Sequence, residues 1–526
     1  MTRDADPFAM ARAHHQAGRL AEAEALYRRI LAADPGHLAA LHYFGIVALD
    51  TKRPDLAREL CGRAAAAAPD EPSVHNNLGN ALMQAGLAEQ AIEAFRTALR
   101  LAPGIASIHF NLGRALKALD RPEEAVAAFR AAIRLKPDHA EAYSTLGNTL
   151  AVLDRGQEAI AAYRQALAIR PGYAEAYVNL GCIHAKAGRL DDAQAFYRHA
   201  LTLAPQLAEA HTNLADSLLL GGDYAAGWTE NEWRFNPDKP GRPFPQPRWR
   251  GEDLDGRRLL VWGEQGIGDE LTFFAILPEL VAGGAQVVVE CDPRLVPLLG
   301  RSLPGIEAVA RTDPPQARLL ADDIDVQVPV VSAVALLRPS LSGFRPLPPY
   351  LTADAAVAAD FRRAYGPGPL VGISWWTRHP KLERSFSIPL ADWRPILDVP
   401  GFRFVSLQYG AGRAEIAAAG FDLIDDITVD PLTDIDRFAA QVAAMDLVIS
   451  VDNSTVSMAC ALGRPVWDLL AFAPDWRMGL DGAASPWYHG MRLFRQRAPG
   501  AWGPVVAEVA AALGGRTAGG RERDEP

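Results

Sequence analysis

A spacing of 34 residues governs the first half of this chain. Prolines fall at Pro35, Pro69, Pro103, Pro137, Pro171 and Pro205. Glycines at Gly45, Gly79, Gly113, Gly147 and Gly181 keep the interval, and so do alanines at Ala23, Ala57, Ala91, Ala125, Ala159 and Ala193. A bulky slot follows it as well, filled by Tyr27, Phe95, Phe129, Tyr163 and Tyr197, with Cys61 in the second unit. Several registers locked to one spacing mean one supersecondary unit stacked on itself. The small residues predict two antiparallel helices in close approach. The large side chain fills the space between units, and the proline stops the second helix.

The pattern resembles the tetratricopeptide repeat, over about six full units and a degenerate one from Leu207 to Phe235. In that last unit Ala215 takes the glycine slot and Gly227 the alanine slot. A worn terminal repeat is what a cap, or a joint to another domain, should look like. Two positions before each glycine stand Tyr43, Asn77, Asn111, Thr145, Asn179 and Asn213. In the repeat family this part of the first helix lines the concave side. Asparagine is a poor helix former, so its recurrence here predicts a ladder that grips an extended peptide backbone. The alternative is that these residues only satisfy neighbouring turns. The ladder is similar to that in the repeat arm of the O-linked N-acetylglucosamine transferases, which implies Asn77, Asn111, Asn179 and Asn213 as acceptor-peptide contacts.

At 526 residues the chain should hold two or three domains. Its net charge of −10 argues against general nucleic-acid binding, which calls for a basic footprint. Cys61, Cys182, Cys291 and Cys460 show no paired spacing and are expected as reduced thiols, without a zinc site or a disulfide framework. No apolar leader follows Met1 and no apolar run is long enough to span a bilayer, so a soluble, cytoplasmic protein is expected.

Five segments follow: a repeat array at 1–235, a proline-rich joint at 236–256, α/β halves at 257–366 and 367–514, and a disordered tail at 515–526. The joint cannot be helical, and its aromatic neighbours Trp228, Trp233, Phe235, Phe244 and Trp249 predict that it packs rather than tethers. In the first half, strands are expected at 259–262, 285–291 and 325–331, and helices at 270–282 and 294–303. The second half should run strand 370–375, helix 390–397, strand 403–407, helix 437–444, strand 447–451, helix 455–462 and a closing strand 465–470. Such alternation implies parallel, doubly wound sheets, whose ligands bind outside the C-terminal strand ends. The overall class is therefore an all-α superhelix followed by two Rossmann-like parallel-sheet halves.

Two loops stand out at strand ends. Gly263-Glu264-Gln265-Gly266-Ile267-Gly268-Asp269 joins a strand to a helix, with glycines that let the backbone approach a bound group. Ser450-Val451-Asp452-Asn453-Ser454-Thr455 does the same later on. With Gly463-Arg464-Pro465, Pro474-Asp475-Trp476-Arg477 and the run Ser485 to Gln496, these pieces resemble bacterial repeat-linked glycosyltransferases related to the ADP-heptose:lipopolysaccharide heptosyltransferase family. The resemblance implies a GT-B architecture. It implies Asp269 as the catalytic carboxylate that takes the acceptor proton, whereas a plain reading makes Asp269 a helix cap. Gly266, Gly268, Asp452, Asn453, Ser454 and Thr455 would surround the donor phosphates, with Asp452 on loop geometry or a ribose hydroxyl. Lys381 and Arg384 are candidates to neutralise the leaving phosphate, Gln408 to read base or ribose, and Arg477 and Arg495 stand second in rank. The chain departs from its relatives at Ser457, where they carry a histidine, and in a shortened loop at Arg384-Ser385.

The expected function is transfer of a sugar from a nucleotide-activated donor to a Ser or Thr hydroxyl of a protein acceptor, with flagellin a candidate. No metal and no cofactor beyond the nucleotide sugar is expected. The alternatives are an interaction scaffold with an inactive transferase half, and an enzyme acting on lipopolysaccharide or another glycan.

Overall fold

A computed structural model describes residues 6–264, 266–341, 345–377 and 386–518. The chain forms two compact units, Met1–Ile183 with His199–Pro205, and His184–Arg198 with Gln206–Pro526.

The first unit is a stack of antiparallel helix pairs, from Pro7–Gln16 with Leu20–Ala33 to Ala140–Val152 with Gly156–Ile169. The geometry explains the paired registers. A Cβ on Gly45 would lie 2.7 Å from the Cys61 sulfur, on Gly113 2.6 Å from the Phe129 ring, and on Gly147 2.5 Å from the Tyr163 ring. Each glycine is the vacancy its bulky partner fills, so neither register can drift without the other. A further register emerges only in three dimensions. Gly18, Lys52, Gly86, Asp120 and Asp154 share one turn position and all have φ between 53° and 76°. Three of these residues carry a Cβ in a left-handed turn, and that tolerance hid the register from the sequence.

In the second unit the sheets are joined by the helices Ala208–Leu220 and Tyr224–Asn231, upstream of the boundary expected at 235. The reason is aromatic. Trp228 packs on Trp476 at 5.4 Å between ring centroids, Trp476 on Trp487 at 5.0 Å, and the Trp487 indole donates to the Tyr224 hydroxyl at 3.0 Å. In this pair the vacancy has changed helix: a Cβ on Gly227 would meet Leu219 at 2.7 Å. The joint runs extended. Trp249 N–H donates to the Gln327 carbonyl at 2.8 Å, and Gln327 N–H to the Pro247 carbonyl at 3.0 Å, while Phe235 and Phe244 pack on Trp262.

Both sheets are wholly parallel. β1 (Arg258–Trp262), β2 (Gln286–Cys291), β3 (Glu307–Ala310) and β4 (Val326–Pro329) stand in the order β3-β2-β1-β4. β5 (Leu370–Ser374), β6 (Arg403–Ser406), β7 (Leu423–Ile424), β8 (Leu447–Val451), β9 (Val466–Leu470) and β10 (Met491–Arg495) stand in the order β10-β9-β8-β5-β6-β7. Winding reverses between β1 and β4 and between β5 and β8, and the crevices at those points are where such sheets hold ligands.

Four expectations change. β3 was not foreseen. The strand expected to reach 331 stops at Pro329, because the helix Val330–Leu337 starts there with the Val331 N–H donating to the Glu264 carboxylate at 3.1 Å. β9 is not the closing strand, since β10 pairs outside it. The tail expected to be loose from Arg516 begins inside the helix Trp502–Ala518, and residues 519–526 lie outside the described residues.

Candidate functional site

The two singled-out loops meet at the C-terminal edges of the sheets. A Cβ on Gly268 would touch Ser454 at 3.5 Å, and the Thr272 hydroxyl lies 3.2 Å from Ser457 and 2.6 Å from the Tyr488 hydroxyl. Asp269 stands in the first turn of the helix Ile267–Phe273, where its side chain is partly exposed. Its Oδ1 accepts from Arg477 Nη1 at 3.1 Å, and the same arginine donates through Nε to Asp475 at 2.7 Å. Burial raises the Asp269 pKa, Arg477 opposes it, Asp475 adds to it, and a hydrogen bond from the Gly266 backbone pulls it down. The carboxylate is therefore tied to the first turn of its helix as well as to Arg477. Arg477 positions this carboxylate; its Nη1 and Nε are engaged by protein.

Three buried acids of the first half each have an arginine: Glu264 pairs with Arg234, Glu270 with Arg311 and Glu290 with Arg242. The Glu270–Arg311 pair also explains Gly263, whose missing Cβ leaves room for both side chains. The acids around Arg477 lack such individual partners. The Asp452 carboxyl is pushed up to about 7, by burial first and then by Asp475, with Arg477 opposing and Asp269 adding. Asp468, fully buried on β9 with no hydrogen bond to either oxygen among the described residues, is raised well above the usual range by burial and by Asp452. Asp216 comes from the helix Ala208–Leu220, which packs on the turn Trp476–Met478; its side chain keeps solvent access, and crowding by the surrounding protein and Asp475 raise its carboxyl while Arg477 opposes. One arginine thus serves a group of acids that hold protons near neutrality, which is what acid–base chemistry requires.

Around β8 most of the polar residues serve the loop itself. Asn453 caps the helix Ser454–Ala461, accepting from Thr455 N–H at 2.9 Å, and its amide donates to Ser374 at 2.8 Å and to the Trp376 carbonyl at 3.2 Å. Ser454 bonds the Tyr409 hydroxyl at 2.9 Å, and Thr455 is buried with an unpartnered hydroxyl. Gly266 faces little but the Asp269 carboxylate.

Two expected contacts are corrected. Gln408 is buried and spends both ends of its amide: Oε1 accepts from Ser374, Trp375 N–H and Trp376 N–H at 2.9–3.0 Å, and Nε2 donates to the Trp376 and Tyr409 carbonyls. It clamps the start of the loop after β5, with both ends of its amide engaged by described residues. Arg495 spends its guanidinium on the carbonyls of Met478, Gly479, Asp481 and Gly482, fixing the loop that follows Arg477. Lys381 and Arg384 lie outside the described residues. Ser457 is buried among Thr272 and Tyr488. Thr272, Tyr488, Asp475 and Asp216 were missed as site residues. Asp475 and Tyr488 did lie in the motif runs, and Asp216 is the single acid beside the glycine slots of the repeats.

In the first unit, Asn77, Asn111 and Asn179 are half-buried. The Asn77 amide lies 3.4 Å from His42 Nε2, and the Asn111 amide donates to Asn76 Oδ1 at 3.0 Å. Both therefore link consecutive repeats while keeping their own carbonyl oxygens. Asn213, half-buried in the second unit, stands three residues before Asp216. Among the described residues no cluster of three or more His, Cys, Asp or Glu could hold a metal ion, and no helix is long and apolar enough to cross a membrane.

Models of the tetratricopeptide repeat match residues 14–81, 76–140 and 138–206. Protein FlbA of Caulobacter vibrioides is 36% identical over 326 residues, which cover 57% of this chain and 54% of FlbA. The chain thus spans about half the length of that relative. Among solved structures, MamA is 27% identical with a TM-score of 0.30, covering 32% of this chain and 97% of MamA. YrrB, described as a TPR protein with an unusual peptide-binding site, is 20% identical with a TM-score of 0.31, covering 35% of this chain and 95% of YrrB. Residues 14–206 of this chain thus match tetratricopeptide-repeat models, and its C-terminal region carries two parallel sheets.

Proposed function

We infer that the chain is a glycosyltransferase acting on a protein. The observation that carries this reading is the Asp269–Arg477 pair, set where the ends of two parallel sheets converge and surrounded by acids that retain protons. Asp269 takes the proton of an acceptor Ser or Thr hydroxyl while that oxygen bonds to the anomeric carbon of the donor sugar. The bond from that carbon to the phosphate oxygen breaks, and the nucleotide leaves with the electron pair. Arg477 keeps the carboxylate oriented and opposes the desolvation that raises its pKa. Lys381 and Arg384 carry the leaving phosphate in this reading, and the repeat array holds the acceptor polypeptide, with flagellin the first candidate. No metal takes part, as in GT-B enzymes generally.

Purified protein incubated with nucleotide sugars and candidate acceptors should give a mass increase of one glycosyl residue. Asp269→Asn should lower that rate by about 100-fold or more while acceptor binding persists. A second reading, an interaction scaffold, is favoured by one observation: the loop at Asn453 is satisfied by bonds within the chain. No product with any donor class while a partner still binds selects the scaffold, whereas unchanged product with Asp269→Asn keeps transfer and removes Asp269 as its base.

A further inference from the structure

A cavity of about 560 Å³ opens in the second unit among the helix Tyr224–Asn231, the joint and the helix Val330–Leu337. Sites for small molecules generally span roughly 300–1,000 Å³, so its size suits such a ligand. None of the residues lining it belongs to the Asp269 group.

Much of its wall is hydrocarbon, from Trp228, Trp249, Ala335, Leu336 and Pro339. Both indole N–H groups are already spent, Trp228 on the Arg338 carbonyl and Trp249 on the Glu252 carbonyl, each at 2.8 Å. The rings therefore offer carbon alone. Leu336 stays 39% exposed on a helix whose first five residues, Val330 to Val334, are buried.

The polar lining is Glu232, Ser332, Arg248 and Arg250, with Thr229 bonded back to its own helix. Glu232 is neutralised: it accepts from Arg248 Nη2 at 2.5 Å, from the Ser332 hydroxyl at 2.6 Å and from Arg234 at 3.2 Å. Arg248 uses only Nη2 in these bonds, so Nε and Nη1 have no hydrogen-bond partner among the described residues. Arg250 makes no hydrogen bond through its guanidinium among the described residues, and stands exposed beside the opening. Within the lining two cations thus face one carboxylate, with Glu252 beside Arg250 and Arg234 on Glu232 just outside it.

We propose that this cavity binds a small apolar carboxylate, an aromatic or branched aliphatic body with one anionic head. The body lies against Trp228, Trp249 and Leu336. The head takes the free edge of Arg248 and the Arg250 guanidinium, groups whose forked donors match a carboxylate. A neutral apolar molecule would leave the free guanidinium edges of Arg248 and Arg250 without an acceptor, and a bare anion would leave the hydrocarbon wall in water.

Isothermal titration calorimetry on the full chain tests this with 4-phenylbutyrate, 4-phenylbutyramide and inorganic phosphate as probes. The acid should bind one to one, the amide about tenfold more weakly, and phosphate not measurably. Leu336→Trp and Ala225→Phe, which fill the cavity from opposite walls, should each abolish binding of the acid; retained circular dichroism shows that the variant is folded. Arg250→Gln should weaken the acid and leave the amide unchanged. Equal affinity for acid and amide would overturn the anionic head, and binding that survives both filling variants would overturn the location. No heat from the acid at millimolar concentration would overturn the proposal outright.

Discussion

The two units bring their residues together over very different lengths of chain. In the first, Gly113 meets Phe129 in the next helix, and the same contact recurs at Gly147 with Tyr163. In the second, Asp269 meets Arg477 across 208 residues and Thr272 meets Tyr488 across 216. Local contacts repeat because each unit presents the same surface to its neighbour, so stability is close to a sum of neighbouring terms. Distant contacts impose no period, and their formation waits on the closure of long loops. Charge follows the same division. Glu24 of the first unit, gripped by Arg53 and Arg28, is held down at about 2, whereas Asp452 of the second is pushed up to about 7.

Tryptophan separates the two experimentally, since all 11 lie between 228 and 502. Their fluorescence reports the second unit, while far-ultraviolet circular dichroism weights the helical first. The largest expected effect is at Gly79, where an added Cβ runs into the Phe95 ring. Gly79→Ala should cost about 2–3 kcal/mol in the dichroism transition and leave the fluorescence transition in place. Phe95→Leu in the same chain should recover part of that loss, and strict additivity of the two changes would break the account of paired registers.

Gln408→Ala makes the converse case. It strands the Trp375 and Trp376 N–H groups in the interior and should cost about 2 kcal/mol in the fluorescence transition alone. A variant as stable as the parent would show that Gln408 is no clamp.

Next comes pH. The raised Asp452 pKa means its contribution is full below about 4 and is lost as pH rises to about 7. Asp452→Asn should therefore stabilise the second unit by about 1–2 kcal/mol at pH 8 and change little at pH 4. The opposite slope would locate the compensating charge elsewhere. For Glu24 the sign reverses: its contribution is full above about 4.5 and fades as pH falls toward 2. Glu24→Gln should cost the first unit about 0.5–1 kcal/mol at pH 7, after solvent screening, and nothing near pH 2. Equal costs at both values would deny the ion pair with Arg53.

Of the site, the sequence disclosed its parts better than their partners. Asp269 and the Asp452–Thr455 loop could be found because glycine and polar residues interrupt apolar strands at strand ends. That they touch through Gly268 and Ser454 could not. Gln408 shows the limit: an amide at a strand end looks the same whether it faces a ligand or four backbone groups of its own chain. Arg477 likewise looked like an anion contact, and the structure gives it to Asp269 and Asp475.

The sequence by itself determined the repeat array, because periodicity is visible in a string of letters, while the structure showed that the space at each glycine is filled by the bulky residue of the next helix rather than leaving that residue between units. The sequence determined the alternation of strand and helix for the same reason. Only the tertiary structure decided that the last repeat packs with the sheets through Trp228, Trp476 and Trp487, and which acids share Arg477. Burial and charge neighbourhood depend on segments hundreds of residues apart meeting at one point, and no local pattern carries that distance.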